Sequence, residues 1–459
     1  MSRAGRVAEL ARAGGAMKAA RERERWPRER MLAHQAEALD AIVRHAAERS
    51  PFHRSRFEAA LGSARVDLEA LPPLSKAALG EHLGDALCEP RLRNLDLRAH
   101  LVDREPLLGE YRVMASSGST GTPSLYVYSR SDWRGLLAMF LRYCELCRIR
   151  PRLPRLRVAA IGAPSLASMT QRCAQSMDVG LHRVLPLSVT QPLSELVDAL
   201  NAFRPGVLNA YASVAALLAD EQLAGRLRIA PRAVSTSSEL RTAEMTARIE
   251  RAFGVRPFNL YATSEGLWGV DCEHHDGIHL FEDWCVVENV DRDGRPVPDG
   301  EPGARLFVTN LFNRTLPLIR FEVSDVVVIE RGRCACGRTL PRLRAVEGRL
   351  QEVLHLPGAG GASVPVHPTQ FSALSADPAV REFQVVRRGH GIVLRLALRP
   401  GAAPSAANAV AGKVAARLSA LGVASPAVSA ELVDEIERTP AGKLRLVLDE
   451  AEDRAQAPA

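Results

Sequence analysis

The chain has no apolar run approaching ~18 residues, so nothing in it is expected to span a membrane. Its start, MSRAGRVAELARAGGAMKAARERERW, is basic but lacks the continuous apolar stretch of a secretory signal. Cysteine is sparse, with eight in 459 residues, which argues against a disulfide scaffold and for a reducing compartment. The expected location is the cytoplasm. There is no internal repeat. Three familiar catalytic signatures are also missing: the Gly-x-Ser-x-Gly elbow, the Rossmann fingerprint and the Walker loop.

What is present is ordinary for a water-facing protein of two or three domains: 46% hydrophobic and 25% charged residues over 459 positions. A net charge of +7 raises the question of nucleic acid. Residues 1–60 hold 13 Lys/Arg against 8 Asp/Glu, so most of the excess lies in this leading segment. RERERWPRER alternates in sign, which suits a solvated helix face better than a phosphate-binding stripe, and no DNA- or RNA-reading motif accompanies it. No nucleic-acid partner is expected.

Hydrophobic spacing predicts a helix over 31–49, stopped before Pro51, and a loop at Leu71–Ser75 that leads into another helix. Short apolar runs at Val158–Ile161, Val207–Asn209 and Ala233–Ser235 alternate with helical stretches at 194–203 and 214–224, the pattern of an α/β core. Residues 284–330 read differently. Trp284–Val290, Ala304–Thr309 and Val326–Glu330 look like strands joined by Asp-Gly turns. A last unit begins near 350, with strands at 382–388 and 391–398 and a helix at 405–420.

Ser116-Ser117-Gly118-Ser119-Thr120-Gly121-Thr122-Pro123 combines two glycines with four hydroxyl residues in its first six positions. The glycines free the backbone to curl, and hydroxyls and N–H groups can face an anion. The segment fits a phosphate loop or a flexible Ser/Gly linker equally well. Order along the chain decides. The loop resembles the phosphate motif of the adenylate-forming superfamily, and further motifs of that superfamily follow in sequence. Ser237-Ser238-Glu239-Leu240 resembles the segment along the adenine, and Tyr261-Ala-Thr-Ser264-Glu265 the Tyr-x-x-Thr/Ser-Glu motif. PLIRFEVSD, ending at Asp325, resembles the stretch that reaches the ribose-binding aspartate. Gly348-Arg349 resembles the hinge, and Arg438-Thr-Pro-Ala-Gly-Lys443 the closing lysine motif. Within the superfamily the chain is most similar to the phenylacetate–CoA ligase branch and its CapK-like members. LPPLSKAAL and CACGRTLPRLRAVEGR carry that likeness, as does QAEALDAIVRHAAERSPFHRSRF near the start.

The resemblance implies an α/β fold in two parts. A large multi-layer domain would occupy 1–349, with a helical lead-in over 31–110 and a β-rich part over 284–330. A small α+β lid would occupy 350–459. It also implies roles. Glu265 would hold Mg²⁺ through oxygen ligands, Tyr261 would stack on adenine, and Asp325 would accept both ribose hydroxyls. Arg349 would reach a phosphate or ribose oxygen. Lys443 would bridge the attacking carboxylate and the α-phosphate, with Ser264 beside it. Ser116 to Gly121, Ser238 and Glu239 would complete the nucleotide site. The implied reaction is ATP-driven activation of a carboxylic acid, an aromatic one by analogy, as an acyl-AMP. Transfer would follow to CoA, to an amine or to a carrier protein. A non-catalytic nucleotide-binding homologue is the competing reading, because Thr122 replaces the loop lysine of many relatives and Gln351 the acidic hinge residue. The oligomeric state is left open, with a homodimer among the options.

A second constellation is metal-like. Cys272-Glu-His274-His275 and Cys334-Ala-Cys336 are two close ligand pairs separated by a long loop, the plan of a structural Zn²⁺ site. The expected ligands are Cys272, His275, Cys334 and Cys336, with His274 or His279 as substitutes. Reduced cysteines near a turn are the alternative.

Overall fold

Short β-branched runs with helices between them build the centre of the protein. In the computed structural model the described residues are 3–450, other than 63, 117–123, 164, 166, 350, 351, 360, 361, 390, 440 and 441. The largest sheet has nine strands. Across it they run Asp325–Glu330, Arg342–Arg349, Ile278–Leu280, Trp268–Asp271, Phe258–Ala262, Ala233–Ser237, Val207–Tyr211, Leu156–Gly162 and His182–Ser188. The last five are mutually parallel, and the first four pair antiparallel. The apolar runs at 158, 207 and 233 are therefore strands, as their composition predicts.

The intervening helices are fixed by local chemistry. Leu193–Phe203 buries Leu196, Val197 and Leu200 on one face and ends where Arg204 turns left-handed at φ 51°. Ala243–Phe253 starts from a Thr242 cap that takes the Met245 N–H, and ends at Gly254 with φ 70°. The Arg130–Leu146 helix carries a full capping box between Ser129 and Asp132.

Cys285–Val290, Arg305–Asn310 and Phe321–Val323 form a separate antiparallel sheet. The strand near Val326 was expected to belong with them. It joins the large sheet instead, because Asp325–Glu330 pairs with Arg342–Arg349. This places Asp325 and Arg349 directly opposite each other. The C-terminal unit has a four-stranded sheet, ordered Val428–Leu432, Gly391–Leu398, Val380–Arg388 and Val447–Asp449, a two-stranded one of Leu354–Pro357 and Ser363–Val366, and its own apolar core with helix Ala406–Ala420.

The leading segment corrects the sequence reading. Arg3–Arg23 and Arg28–Arg49 are helices, but Glu24 at their junction is 2% exposed rather than solvated. Its carboxylate accepts from Arg142 and Arg338, both at 2.6 Å. Burial raises its pKa, but the two guanidiniums outweigh that and hold the carboxyl below its usual range. No helix among the described residues is long and apolar enough to cross a membrane.

Candidate active site

Parallel strands deliver loops at their C-terminal ends, where α/β sheets commonly bind ligands. Here the strand Ala233–Ser237 runs into Ser238 and Glu239, and Phe258–Ala262 runs into Ser264 and Glu265. These loops line a cavity of about 630 Å³. Ser116, Tyr261, Asp325, Arg349 and Lys443 face the same space. Of the nucleotide-site residues expected from the sequence, Ser117, Gly118, Ser119, Thr120 and Gly121 lie outside the described residues. All the others named for that site line this one cavity.

Each charged group is held by a specific partner. Tyr126 donates its hydroxyl proton to Glu265 Oε1 at 2.5 Å, and Asn310 donates to the Glu265 carbonyl at 2.9 Å. Tyr128 donates to the Ser264 carbonyl at 2.9 Å. Tyr261 donates to Asp325 Oδ2 at 2.6 Å, and Arg349 Nε lies 3.8 Å from the other oxygen. Burial and the Asp325 carboxylate both push the Tyr261 phenol well above its ordinary pKa, so it remains a donor. The Ser116 hydroxyl accepts from Ser124 N at 3.1 Å.

Glu352, next to the Gln351 departure, takes the Arg349 N–H at 3.4 Å; burial raises its pKa, against the pull of Arg349. Gly348 is required by space as well as conformation. It sits at φ +118°, and a Cβ there would lie 2.5 Å from Pro368 Cγ.

Lys443 arrives from the C-terminal unit through a turn in which its N–H donates to Thr439 Oγ1 at 3.1 Å. Burial, reinforced by Arg349, pushes its pKa down to about 8, while Glu239, Asp325 and Glu265 oppose the shift. Glu239 lines the cavity, as do the other described residues expected there, and has a further set of partners. Its carboxylate accepts the N–H groups of Ser213 at 2.9 Å and Leu444 at 2.7 Å. Arg438 adds a bond to Ser213 Oγ at 2.8 Å and another to Glu382 at 2.5 Å. Glu239 and Ser213 thus dock the turn that carries Lys443. No local sequence signal points to this latch or to Tyr126, because each is a contact between distant segments.

The expected zinc ligands need one correction. Cys272, Cys334, Cys336 and His279 have donor atoms that all lie within 4.8 Å of one another. Cys272 Sγ is 3.8 Å from Cys334 Sγ, and Cys336 Sγ is 3.5 Å from His279 Nε2. Tetrahedral Zn–S bonds of about 2.3 Å require sulfurs about 3.8 Å apart, so this donor set fits zinc. His275 is not part of it. The chain turns left-handed there at φ 50°, and the ring packs 4.9 Å from Phe258 with Nδ1 3.4 Å from Asp271. It lines the 630 Å³ cavity instead. His279 reaches the thiols because its strand is paired on one side with Trp268–Asp271 and on the other with Arg342. Burial and Arg338 press its pKa down to about 4, which keeps the imidazole neutral.

No family model matches the chain. It is 29% identical over 394 residues to a phenylacetate–coenzyme A ligase of Thermus thermophilus, covering 81% of each chain. It is 27% identical to the Escherichia coli phenylacetate–coenzyme A ligase over 78% of its length and 80% of the relative's. Among solved structures, 2-hydroxyisobutyryl-CoA ligase in its postadenylation state with an acyl-AMP superposes with TM-score 0.74 at 23% identity, covering 94% of this chain and 92% of the other. The same ligase in its thioesterification state gives 0.61. These likenesses establish the fold.

Proposed function

We propose that this chain, which belongs to the phenylacetate–CoA ligase branch of the adenylate-forming superfamily, activates a carboxylic acid with ATP and passes the acyl group to CoA. One observation carries the reading. Ser116, Tyr261, Glu265, Asp325, Arg349 and Lys443, scattered over more than 300 positions of sequence, line a single cavity of about 630 Å³. That volume falls within the ~300–1,000 Å³ usual for small-molecule sites.

The residues divide the work. Asp325, oriented by Tyr261, accepts the ribose hydroxyls, and Arg349 steadies it from the opposite strand. Ser238 and Tyr261 flank the adenine. Glu265, oriented by Tyr126, is the hard oxygen ligand that would hold Mg²⁺, which supplies charge neutralisation to the phosphates. The acid's carboxylate attacks the α-phosphorus, the bond to the bridging oxygen breaks, and pyrophosphate leaves with the electron pair. Lys443 stabilises the charge on the attacking and α-phosphate oxygens. The C-terminal unit from about 350 onward acts as a lid hinged at Gly348-Arg349, and its swing would admit CoA for thioester formation. The relatives' names make arylacetates the first acids to test. Cys272, His279, Cys334 and Cys336 would hold a zinc ion in a structural role, since four protein ligands would leave it no open position.

The test is product analysis with ATP, magnesium and a panel of acids, with and without CoA. The expected result is acid-dependent AMP, with an acyl-CoA formed only when CoA is present. AMP formation followed only by hydroxamate or amide products would replace the thioester step. No nucleotide binding at millimolar ATP would favour a non-catalytic homologue.

The latch gives a further expectation. Removing Arg438 deletes a charged hydrogen bond that favours the lid pose bringing Lys443 to the cavity. Losing about 1.4 kcal/mol from that pose lowers its occupancy about tenfold. Arg438→Ala should therefore slow adenylation about tenfold while transfer from supplied acyl-AMP stays near wild type. An equal loss in both half-reactions would show that Arg438 serves the lid's own folding.

A further inference from the structure

The parallel strands have a second end, away from the catalytic loops. There the starts of Leu156–Gly162 and Val207–Tyr211, with the loop leading to Ala233–Ser237, surround a cavity of about 790 Å³. The strand Val207–Tyr211 runs between the two cavities, for Gly206 lines this one and Ser213 the catalytic one. Five residues of strand at ~3.3 Å each put about 17 Å between them.

Arg152, Arg155, Arg157, Arg204 and Arg228 line this cavity, and no Asp or Glu does. The first three belong to RIRPRLPRLR, residues 148–157, which holds five arginines and no acid. Arg183 adds to the charge, since it stands directly beside Arg157 in the neighbouring strand. Like charges so placed repel unless an anion lies between them. The carbonyl ends of helices Leu193–Phe203 and Ala212–Leu223 reach this side and favour cations. They engage few of the guanidiniums. Arg228 donates to the Gly225 carbonyl at 3.0 Å and Arg155 to that of Gly180 at 3.4 Å. Among the described residues, the guanidiniums of Arg152, Arg157 and Arg204 have no hydrogen-bond or ion-pair partner.

The backbone beneath them is fixed in advance. Gly206 N donates to the Arg157 carbonyl and Arg232 N to the Gly206 carbonyl, both at 2.9 Å. Two side-chain amides bracket the loop that carries Arg228. Asn201 accepts from Arg228 N at 2.8 Å and donates to the Arg226 carbonyl at 2.9 Å. Gln222 holds both the N–H and the carbonyl of Ile229, at 3.1 and 3.0 Å. Between the arginines the floor is apolar, made by the buried Leu156, Pro205, Leu227 and Ile229.

We propose that this cavity is a second ligand site, separate from the active site, that takes a nucleoside polyphosphate. The planar guanidiniums of Arg152, Arg157 and Arg204 hold the phosphate oxygens, and the base lies on the apolar floor. The volume is that of a small-molecule pocket rather than of a stripe along a nucleic acid. The assignment does not depend on the adenylation reading.

The experiment is calorimetric titration of the full-length protein with ATP and, separately, with inorganic tripolyphosphate. The proteins are wild type, Asp325→Ala, the triple variant Arg157→Gln, Arg204→Gln, Arg228→Gln, and a control with Arg12, Arg104 and Arg292, exposed elsewhere, changed to Gln. Wild type is expected to bind ATP at a site that survives in Asp325→Ala and in the control. In the triple variant that site should weaken about tenfold or more, with adenylation at saturating ATP unchanged. Arg157→Gln alone should weaken it about threefold, which keeps the test valid if the triple variant melts early. Tripolyphosphate, lacking a base, should bind about tenfold more weakly than ATP, and equal affinities would overturn the role given to the floor. A single ATP site lost in Asp325→Ala, or an equal loss in the triple variant and the control, overturns the proposal. So does length-dependent binding of single-stranded oligonucleotides in place of ATP. Failure of the adenylation reading alone would leave this site binding ATP.

Discussion

Lys443→Ala is expected to slow acyl-AMP formation ~10²-fold or more, because it removes a positive charge that stabilises the transition state. ATP binding should survive, since Asp325, Tyr261 and Glu265 remain in place. Transfer of a supplied acyl-AMP to CoA should also survive, because that half-reaction does not use the lysine at the α-phosphate. Measuring the two half-reactions separately makes the check; loss of both would point to a lid that never docks. Proton linkage adds a second signature. Burial lowers the Lys443 pKa from an ordinary 10.5 to about 8, so the required ammonium is present below that pH and is lost above it. The kcat/KM for ATP should therefore fall as pH rises through about 8. In Lys443→Arg, whose guanidinium keeps its proton, whatever activity remains should lack that limb.

Cys334→Ser is expected to remove most of one bound zinc per chain and to lower the melting temperature by about 5 °C or more. A structural metal's binding energy is folding energy, and a few kcal/mol is worth several degrees in a protein this size. The site is well placed to matter. The turn carrying Cys334 and Cys336 leads into Arg338, which bonds to Glu24 at 2.6 Å and so ties that turn to the leading helices. His279→Ala should behave like Cys334→Ser, whereas His275→Ala should keep its zinc, because that ring packs against Phe258. Metal analysis and thermal melts of the four proteins settle the point. Metal-free wild type with an unaltered melt would leave only reduced thiols near a turn.

Contiguous chemistry was legible in the sequence, and contacts between distant segments were not. The short runs around Glu265, Asp325 and Lys443 mark candidate residues by type and order, and all three line one cavity. The choice between His275 and His279 needed strand register. Cys272-x-x-His looks like a ligand pair, but the left-handed turn at His275 points that ring away, and pairing of Val270 with His279 brings the other ring in. Glu24 sits in a run of alternating charge that reads as solvated, and only the fold brings Arg142 and Arg338 to it. Glu239 was expected at the nucleotide site, and it lines the cavity. Its use as a dock for Leu444 depends on how the C-terminal unit is seated.

The most direct measurement is isotope exchange between labelled pyrophosphate and ATP, run with the wild-type protein, magnesium and one acid at a time. Carboxylate activation is reversible at the acyl-AMP stage, so label should enter ATP only when an accepted acid is present, without need of CoA. The account predicts acid-dependent exchange that disappears in Lys443→Ala. ATP bound by the wild type with no exchange across a broad set of aryl and alkyl acids would contradict it.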